Sequence, residues 1–202
     1  MGTNRLAGAT FIAATGIECK PLLRRLPGAR VVQTGIALSA VRSGLGEAVV
    51  SCGVAGGLRG EFPTGTVLVP REVRRPDGRT LRCDGEFVEL FARSCRRLGI
   101  EPIFDPLLTS GEIVHGDARA RWAAQGYAGV DMETGLIDAP RVAAVRVVLD
   151  TPQREISGDW QSPLLAILKP WNWPQAIWLA REAPRAAELA ASVVAGAQGI
   201  SG

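Results

Sequence analysis

Three carboxylate residues and two glycine-rich turns follow apolar runs that are typical of buried strands. Glu18, Glu133 and Asp150 each come just after such a run, and the turns occupy residues 43–46 (Ser-Gly-Leu-Gly) and 53–57 (Gly-Val-Ala-Gly-Gly). In open α/β sheets, ligands bind at the carboxyl ends of the strands. Backbone amides of glycine-rich turns can approach a ligand closely, whereas a carboxylate after a strand is either a ligand-binding group or a helix N-cap.

Neither glycine-rich turn has the spacing of a nucleotide-triphosphate loop or of a dinucleotide-binding fingerprint. The four cysteines, which have no CxxC spacing, and the single histidine also disfavour a zinc site. We therefore expect a site without metal or cofactor, and reduced thiols, which are typical of a cytoplasmic protein.

The composition is that of one large globular domain. Of 202 residues, 47% are hydrophobic and 21% are charged, which excludes disorder as the main state. We see no run of about 18 apolar residues of the kind that spans a membrane, and no secretory signal. All but two of the 23 basic residues are arginine, yet the net charge of +3 is too small to indicate nucleic-acid binding.

Short apolar runs alternate with helical patterns along the chain. This alternation predicts an α/β fold, a single-domain three-layer structure with a central mixed β-sheet flanked by helices. We take residues 1–202 as one domain with a Trp-rich helical segment at 160–202, in which Pro174 marks a helix start and Pro184 a break or kink. The predicted strands are 9–14, 29–33, 36–41, 47–51, 65–69, 103–108, 127–131 and 142–149, and the predicted helices are 18–26, 86–98, 117–125, 133–139 and 170–194.

Taken in order, six sequence elements resemble the nucleoside phosphorylase/nucleosidase superfamily. The resemblance covers about residues 9 to 155, and its most specific parts are V-D-M-E at 130–133 and V-R-x-x-x-D at 145–150. The other elements are the Gly turn before Glu18, S-G-L-G at 43–46, S-C-G-V-A-G-G-L at 51–58 and S-G-E at 110–112.

The resemblance implies roles at individual positions. Asp150 corresponds to the general acid at purine N7, Glu133 to the carboxylate that holds the ribose 2′- and 3′-hydroxyls, and Glu18 to the acid that activates the attacking water. Met132 corresponds to the residue that packs against the sugar, and we interpret Asp131 as a solvated carboxylate at a strand end. The remaining expected substrate-binding residues are Ser43, Gly44, Gly53, Ala55, Gly56, Val114 and His115.

The choice between hydrolysis and phosphorolysis depends on an anion site. The phosphorylases of the superfamily carry an arginine three residues before the serine of the S-C-G turn, and this chain has Ala48 there. Together with Glu18, this alanine favours water as the nucleophile. Arg42 is the nearby cation that would bind phosphate if the protein were a phosphorylase.

The chain departs from the family pattern between Gly46 and Ser51. Only four residues lie there, where the family has a helix and a strand, and a parallel crossover needs about a dozen residues. Either the chain is a reduced homologue, or residues are missing between the flanking motifs. We expect a spatial gap near Glu47 or a locally rearranged sheet, and the interval before Asp150 is also short.

The tail carries four of the five tryptophans: Trp160, Trp171, Trp173 and Trp178. Its K-P-W-N-W-P run at 169–174 resembles the hopanoid-associated phosphorylase branch, which implies a lipid-linked adenine nucleoside, adenosylhopane, as substrate. The tail is either a core lid or dimer contact, or an apolar groove that gives peripheral membrane contact.

Three functions follow as hypotheses. The first is an N-ribosyl hydrolase acting on an adenine nucleoside with an apolar 5′ group, such as adenosylhopane. The second is a methylthioadenosine/S-adenosylhomocysteine-type nucleosidase or a purine nucleoside phosphorylase with a small substrate, and the third is an inactive nucleoside-binding homologue. In each case we expect a cytoplasmic homo-oligomer that binds a small-molecule or lipid-linked nucleoside and no nucleic acid.

Overall fold

The computed structural model describes residues 6–41, 43–156 and 173–199. In these ranges nine strands form one mixed sheet, with four α-helices around it. The strands are β1 (Thr10–Ala13), β2 (Arg30–Gln33), β3 (Ala48–Gly57), β4 (Val67–Leu68), β5 (Glu72–Arg74), β6 (Thr80–Arg82), β7 (Leu107–Thr109), β8 (Gly129–Asp131) and β9 (Arg141–Asp150). The helices are α1 (Gly16–Arg25), α2 (Gly85–Arg97), α3 (Asp117–Ala124) and α4 (Trp173–Gln198). The predicted α/β class, a mixed sheet flanked by helices, is confirmed.

Strand β3 is the centre of the sheet. Strand β9 pairs in parallel with one edge of β3 along almost its whole length. The other edge pairs in parallel with β1 near its start, through Val49–Ser51, and antiparallel with β8 at its end, through Gly56 and Gly57. Strands β1 and β8 therefore run towards each other along this edge, and their carboxyl ends face one another across the middle of β3.

One face of the sheet packs against α1, α2 and α4. Their apolar side chains form the main core with alternate residues of β1, β3 and β9, and the core includes Leu22 of α1, Phe91 of α2 and Val193 of α4. Helix α2 shows how local sequence sets an element, because Phe87, Leu90, Phe91 and Cys95 recur at helical spacing and are all buried. The helix predicted for 86–98 is thus confirmed.

The connection between β2 and β3 differs from the prediction. Residues 36–41 do not form a strand, and Ile36–Leu38 is a single 3-10 turn. Since β1 is parallel to both β2 and β3, the chain crosses over β1 through the 14 residues 34–47. The premise that only the four residues before Ser51 are available for the crossover is therefore wrong, and the expectation of a gap or a locally rearranged sheet, which rested on it, loses its basis.

Two further local predictions are wrong, and one element was missed. The glycine-rich run 53–57 is not a turn but the second half of β3, because pairing with β9 and β8 supplies hydrogen-bond partners for its backbone. The helix expected at 133–139 is only the 3-10 turn Thr134–Leu136. The hairpin of β5 and β6 was not predicted, because its strands are only three residues long.

Helix α4 is described from Trp173 onwards and runs through Pro184 without a break. Trp173 is exposed, and Trp178 is half-buried with the Arg154 guanidinium over its ring. Trp160 and Trp171, with the other residues of 160–172, lie outside the described residues. Within the part of the chain described, no helix is long and apolar enough to cross a membrane.

Candidate functional site

A cavity of about 310 Å³ lies where the carboxyl ends of β1, β8 and β9 meet beside the second half of β3. Its wall is mainly apolar and includes Leu179 and Ala183 of α4. The acidic residues among the described lining residues are Glu18, Glu112, Asp131, Glu133 and Asp150. The volume is in the range of pockets that hold small organic ligands, with a few polar groups that orient the ligand.

Glu18 is fixed at the first turn of α1. It forms a capping box with Thr15, whose backbone N–H and hydroxyl donate to Glu18 Oε2 at 2.9 and 2.8 Å. The N–H of Val54 in β3 donates to Glu18 Oε1 at 2.9 Å. The carboxylate is buried, so donors from two elements hold both of its oxygens at the cavity wall.

Arg146, in the middle of β9, is the buried cation of the site. Its side chain is 1% exposed, and its Nη2 lies 2.7 Å from an oxygen of Asp131 and 3.3 Å from one of Glu133. The same nitrogen donates to the hydroxyl of Ser51 at 2.7 Å. Burial alone would lower the pKa of Arg146, but the neighbouring carboxylates outweigh burial and raise it, so the residue stays charged.

Gly53 separates Glu18 from Arg146. A Cβ atom at this position would overlap with Glu18 Oε1 and would lie 2.9 Å from Arg146 Nη1. Gly53 pairs directly with Arg146 in the sheet. The glycine is therefore required for close approach, since any side chain there would push the acid and the arginine apart.

Glu133 follows β8 and is almost fully buried. Burial, with a smaller contribution from the Asp131 charge, raises the pKa of Glu133 to about 7 against the opposing effect of Arg146. The backbone N–H of Ala37, in the crossover segment, donates to Glu133 Oε1 at 3.2 Å. Ala37 has a φ of 54°, a strained conformation for a residue other than glycine, so the crossover is held in an unfavourable backbone geometry where it contacts this carboxylate.

Asp150 ends β9 and pairs with Gly56 of β3. Its Oδ2 forms an ion pair with Nη2 of Arg119 from α3 and accepts a hydrogen bond from Ile156 N–H at 3.3 Å. Burial raises the pKa of Asp150, and the Arg119 guanidinium opposes that rise. A Cβ at Gly56 would lie 3.1 Å from Asp150 Oδ1, so this glycine makes room for the carboxyl group.

Asp131 is not the solvated carboxylate that we expected. It is 4% exposed, and it accepts hydrogen bonds from the hydroxyls of Thr109 and Thr134 besides its ion pair with Arg146. A strand end is usually exposed, but here the 3-10 turn after β8 folds back over the residue and supplies donors. Asp131 is the buried counter-ion of Arg146.

The structure brings together most of the residues expected from sequence. Besides Glu18, Glu133 and Asp150, the cavity is lined by Met132, Ala55, Gly56 and Val114.

Four other expected residues are not among the described lining residues. Gly53 lies beneath Glu18 and Arg146, and His115 is exposed beyond Val114. Ser43 and Gly44 are exposed in the crossover segment, where the Gly44 carbonyl accepts a hydrogen bond from Arg30 at 2.8 Å. Arg42 lies outside the described residues.

Two arginines were missed as site residues. Arg146 could have been found, because it is the arginine of the V-R-x-x-x-D element at 145–150. Arg119 has no such signal, since its spacing in α3 resembles that of an ordinary surface arginine. No group of three or more His, Cys, Asp or Glu residues in the described ranges is placed to hold a metal ion.

Solved structures that share this fold include nucleosidases. A methylthioadenosine/S-adenosylhomocysteine nucleosidase from Colwellia psychrerythraea 34H, in complex with adenine, superposes with a TM-score of 0.69 at 18% identity, over 95% of this chain and 94% of that chain. The Neisseria meningitidis nucleosidase of the same name, in complex with methylthio-immucillin-A, has a TM-score of 0.68 at 18% identity over 94% and 97% of the two chains. The chain has the nucleosidase fold.

A futalosine hydrolase also shares this fold. The futalosine hydrolase of Helicobacter pylori strain 26695 matches with a TM-score of 0.68 at 12% identity, over 94% of this chain and 96% of that chain. No protein-family model and no curated protein sequence matches this chain. The likeness is therefore one of fold, and the chemistry must be argued from the cavity itself.

Proposed function

We propose that the protein is an enzyme that hydrolyses the N-glycosidic bond of a purine nucleoside. The observation that carries the proposal is the convergence of three buried carboxylates, Glu18, Glu133 and Asp150, on one mainly apolar cavity. The nucleosidase fold supports the same conclusion. In the reaction the bond between C1′ and the base breaks, and a water oxygen bonds to C1′.

Asp150 is the proposed general acid. Its burial favours the protonated form, which can donate a proton to the purine so that the base leaves as a neutral molecule. The absence of a side chain at Gly56 leaves room beside the Oδ1 atom of this carboxyl group. Asp150 is therefore suited to contact a flat base that enters along the end of β3.

Glu133 is the proposed ribose-binding residue. A carboxylate accepts two hydrogen bonds from neighbouring hydroxyls, and its negative charge stabilises the oxocarbenium character that develops at C1′. Arg146 and Ala37 hold this carboxylate at the cavity wall. Met132, half-buried and adjacent in sequence, supplies an apolar contact for the sugar.

Glu18 is the proposed base for the attacking water. Its oxygens are held by Thr15 and Val54, so the carboxylate has one orientation and can accept a proton from a water molecule in the cavity. The proton that Asp150 gives to the base is balanced by the one that Glu18 takes from water.

Water rather than phosphate is the proposed nucleophile. Among the described residues that line the cavity, Arg119 is the only cation, and it is already paired with Asp150. Arg146 is likewise paired with Asp131 and Glu133. Ala48, in place of an arginine, supports the same choice.

We further propose that the 5′ substituent of the substrate is apolar. Ile17, Ile36, Ile113, Ile156 and Leu179 all line the cavity, and Ile17 and Ile36 are about half exposed. Each CH₂ group buried on such a surface contributes about 0.8 kcal/mol. Adenosylhopane and methylthioadenosine are the long-tailed and short-tailed candidates.

The experiment is an assay of adenine release from adenosine, methylthioadenosine and an adenosine with a long 5′ hydrocarbon, each with and without phosphate. We expect adenine and free ribose product without phosphate, and higher kcat/KM for the apolar 5′ groups. Formation of ribose 1-phosphate would contradict hydrolysis. Calorimetric binding of these nucleosides without turnover would instead identify an inactive nucleoside-binding homologue.

A further inference from the structure

Arg119, in the first turn of α3, is a fixed cation at the cavity wall. Its side chain is 3% exposed, and each of its three nitrogens has an acceptor. Nε donates to the carbonyl of Val114 at 2.9 Å, and Nη1 donates to the carbonyl of Gly57, at the end of β3, at 2.8 Å. Nη2 is directed at Asp150 Oδ2. Two backbone carbonyls from separate elements therefore hold the guanidinium in one orientation towards the carboxylate.

We propose that Arg119 is a positioning residue that orients the Asp150 carboxyl group and sets the pH range in which this acid works. The inference rests on the proposed function, because it assigns Arg119 a part in the same reaction. Arg119 occupies Oδ2 of Asp150, so a purine can meet only the remaining oxygen, Oδ1, which lies next to Gly56. A fixed guanidinium thus selects which carboxyl oxygen contacts the base.

The surrounding charges identify Arg119 as the dominant partner of Asp150. Glu155, which follows β9 in the chain, is partly exposed, and its Oε1 lies 3.6 Å from Arg119 Nε. Helix α4 contributes Leu179 and Ala183 to the cavity wall. The other charged groups that face the cavity are Glu18 from α1, Glu112 from the loop after β7, and Asp131 and Glu133 at the end of β8. These are all acidic, so Arg119 is the cationic group among the described neighbours that favours the ionised form of Asp150.

The expected pH effect has a definite sign. Burial raises the pKa of Asp150 and Arg119 counteracts that rise, so removing the guanidinium raises the pKa further. Activity that needs the protonated acid is lost as pH increases through that pKa. The alkaline limb of the kcat/KM profile therefore moves to higher pH in Arg119→Gln. In Arg119→Lys, which keeps the charge but not the planar fork, the limb moves less while kcat still falls.

The test is a double-mutant cycle with Arg119→Gln, Asp150→Asn and the double variant, assayed by adenine release across pH. Arg121→Gln is the matched control, because Arg121 is an exposed arginine of the same helix. We expect Arg119→Gln to lower kcat at least tenfold and to shift the alkaline limb by at least one pH unit. We expect it to have almost no further effect in the Asp150→Asn background, because Arg119 acts through Asp150.

A second measurement does not depend on turnover. The ¹³C carboxyl resonance of Asp150, assigned by its loss in Asp150→Asn, is titrated in the wild-type protein, Arg119→Gln and Arg121→Gln. We expect a higher titration midpoint only in Arg119→Gln. Thermal melts of all variants check that they are folded, and the double variant, with two neutral amides, avoids an unpaired buried charge.

Two results would overturn the role of Arg119 alone. The first is a kcat loss in the double variant equal to the product of the losses in the two single variants. The second is an Asp150 titration midpoint that is the same in Arg119→Gln as in the wild-type protein. Failure of the proposed function gives a different pattern. In that case no nucleoside releases adenine, or Asp150→Asn retains full turnover, and the positioning role falls with it even where the NMR titration still shows that the two side chains are coupled.

Discussion

Replacing Gly53 by alanine tests how closely the site is packed. The added Cβ would overlap with Glu18 Oε1 and would come within 2.9 Å of Arg146 Nη1, closer than Cβ atoms approach such groups in folded proteins. Neither neighbour can move freely. Glu18 is fixed by Thr15 and Val54, and Arg146 is fixed by its ion pairs with Asp131 and Glu133.

The expected loss of stability is that of an overpacked core, about 1–3 kcal/mol. For a chain of this size, each 1 kcal/mol lowers the melting temperature by about 2–4 °C, so a decrease of roughly 2–12 °C follows. The effect on catalysis should be larger than the effect on stability, because Glu18 must rotate away from Val54. We expect kcat to fall by on the order of 10²-fold, since small misplacements of a catalytic group have effects of that size.

The assay combines a thermal melt with adenine release under the same buffer conditions. Gly85→Ala is the matched control, because a Cβ at Gly85, the first residue of α2, would have no heavy atom within 4 Å. This control should keep the melting temperature and kcat of the wild-type protein. A Gly53→Ala variant with unchanged kcat and melting temperature would refute the proposed close packing of Glu18 and Arg146 around Gly53.

Three further predictions concern the charged residues. Asp150→Asn should keep the fold but lower kcat by on the order of 10² or more, because it cannot donate a proton; unchanged turnover would remove Asp150 from the mechanism. Arg146→Met should lower the free energy of unfolding by about 3–5 kcal/mol at neutral pH, because it leaves Asp131 and Glu133 buried without a cation. Denaturant titration at pH 5 should show a smaller loss, since Glu133, whose pKa is raised to about 7, is then protonated; an equal loss at both pH values would contradict this cause. Glu133 has a higher pKa in the folded protein, about 7, than its ordinary value of 4.5, so its contribution to stability decreases as pH rises between these values. Glu133→Gln should flatten the dependence of unfolding free energy on pH in that interval, and an unchanged slope would show that Glu133 does not titrate there.

Short-range features of this chain were predictable from sequence. The amphipathic spacing of α2 and the carboxylates that follow β1, β8 and β9 depend on neighbours within one or two turns of chain. The α/β class follows from the alternation of such elements. For the same reason Glu18, Glu133 and Asp150 could be selected as candidates before their positions were known.

The course of the chain around β3 depended on pairing between distant segments. A glycine-rich run such as 53–57 is compatible with a turn or with a strand, and it is the long parallel pairing with β9 that makes it a strand. Residues 36–41 have apolar residues typical of a strand, yet they cross over β1, where Ala37 and Leu38 adopt positive φ. Local preference was outweighed by the need to connect β2 to β3 in parallel.

The electrostatic partners in the site were decided only by the tertiary structure. Sequence alone determined that Asp131, Glu133 and Asp150 lie at or just after strand ends. The burial of Asp131 requires the opposite charge of Arg146. Asp150 pairs with Arg119, which lies 31 positions away in the sequence. A charged side chain is stable inside a protein only with an opposite charge or hydrogen-bond donors around it. Which groups meet is set by how β3, β8, β9 and α3 pack, because the cost of burying each charge is offset only in that one arrangement.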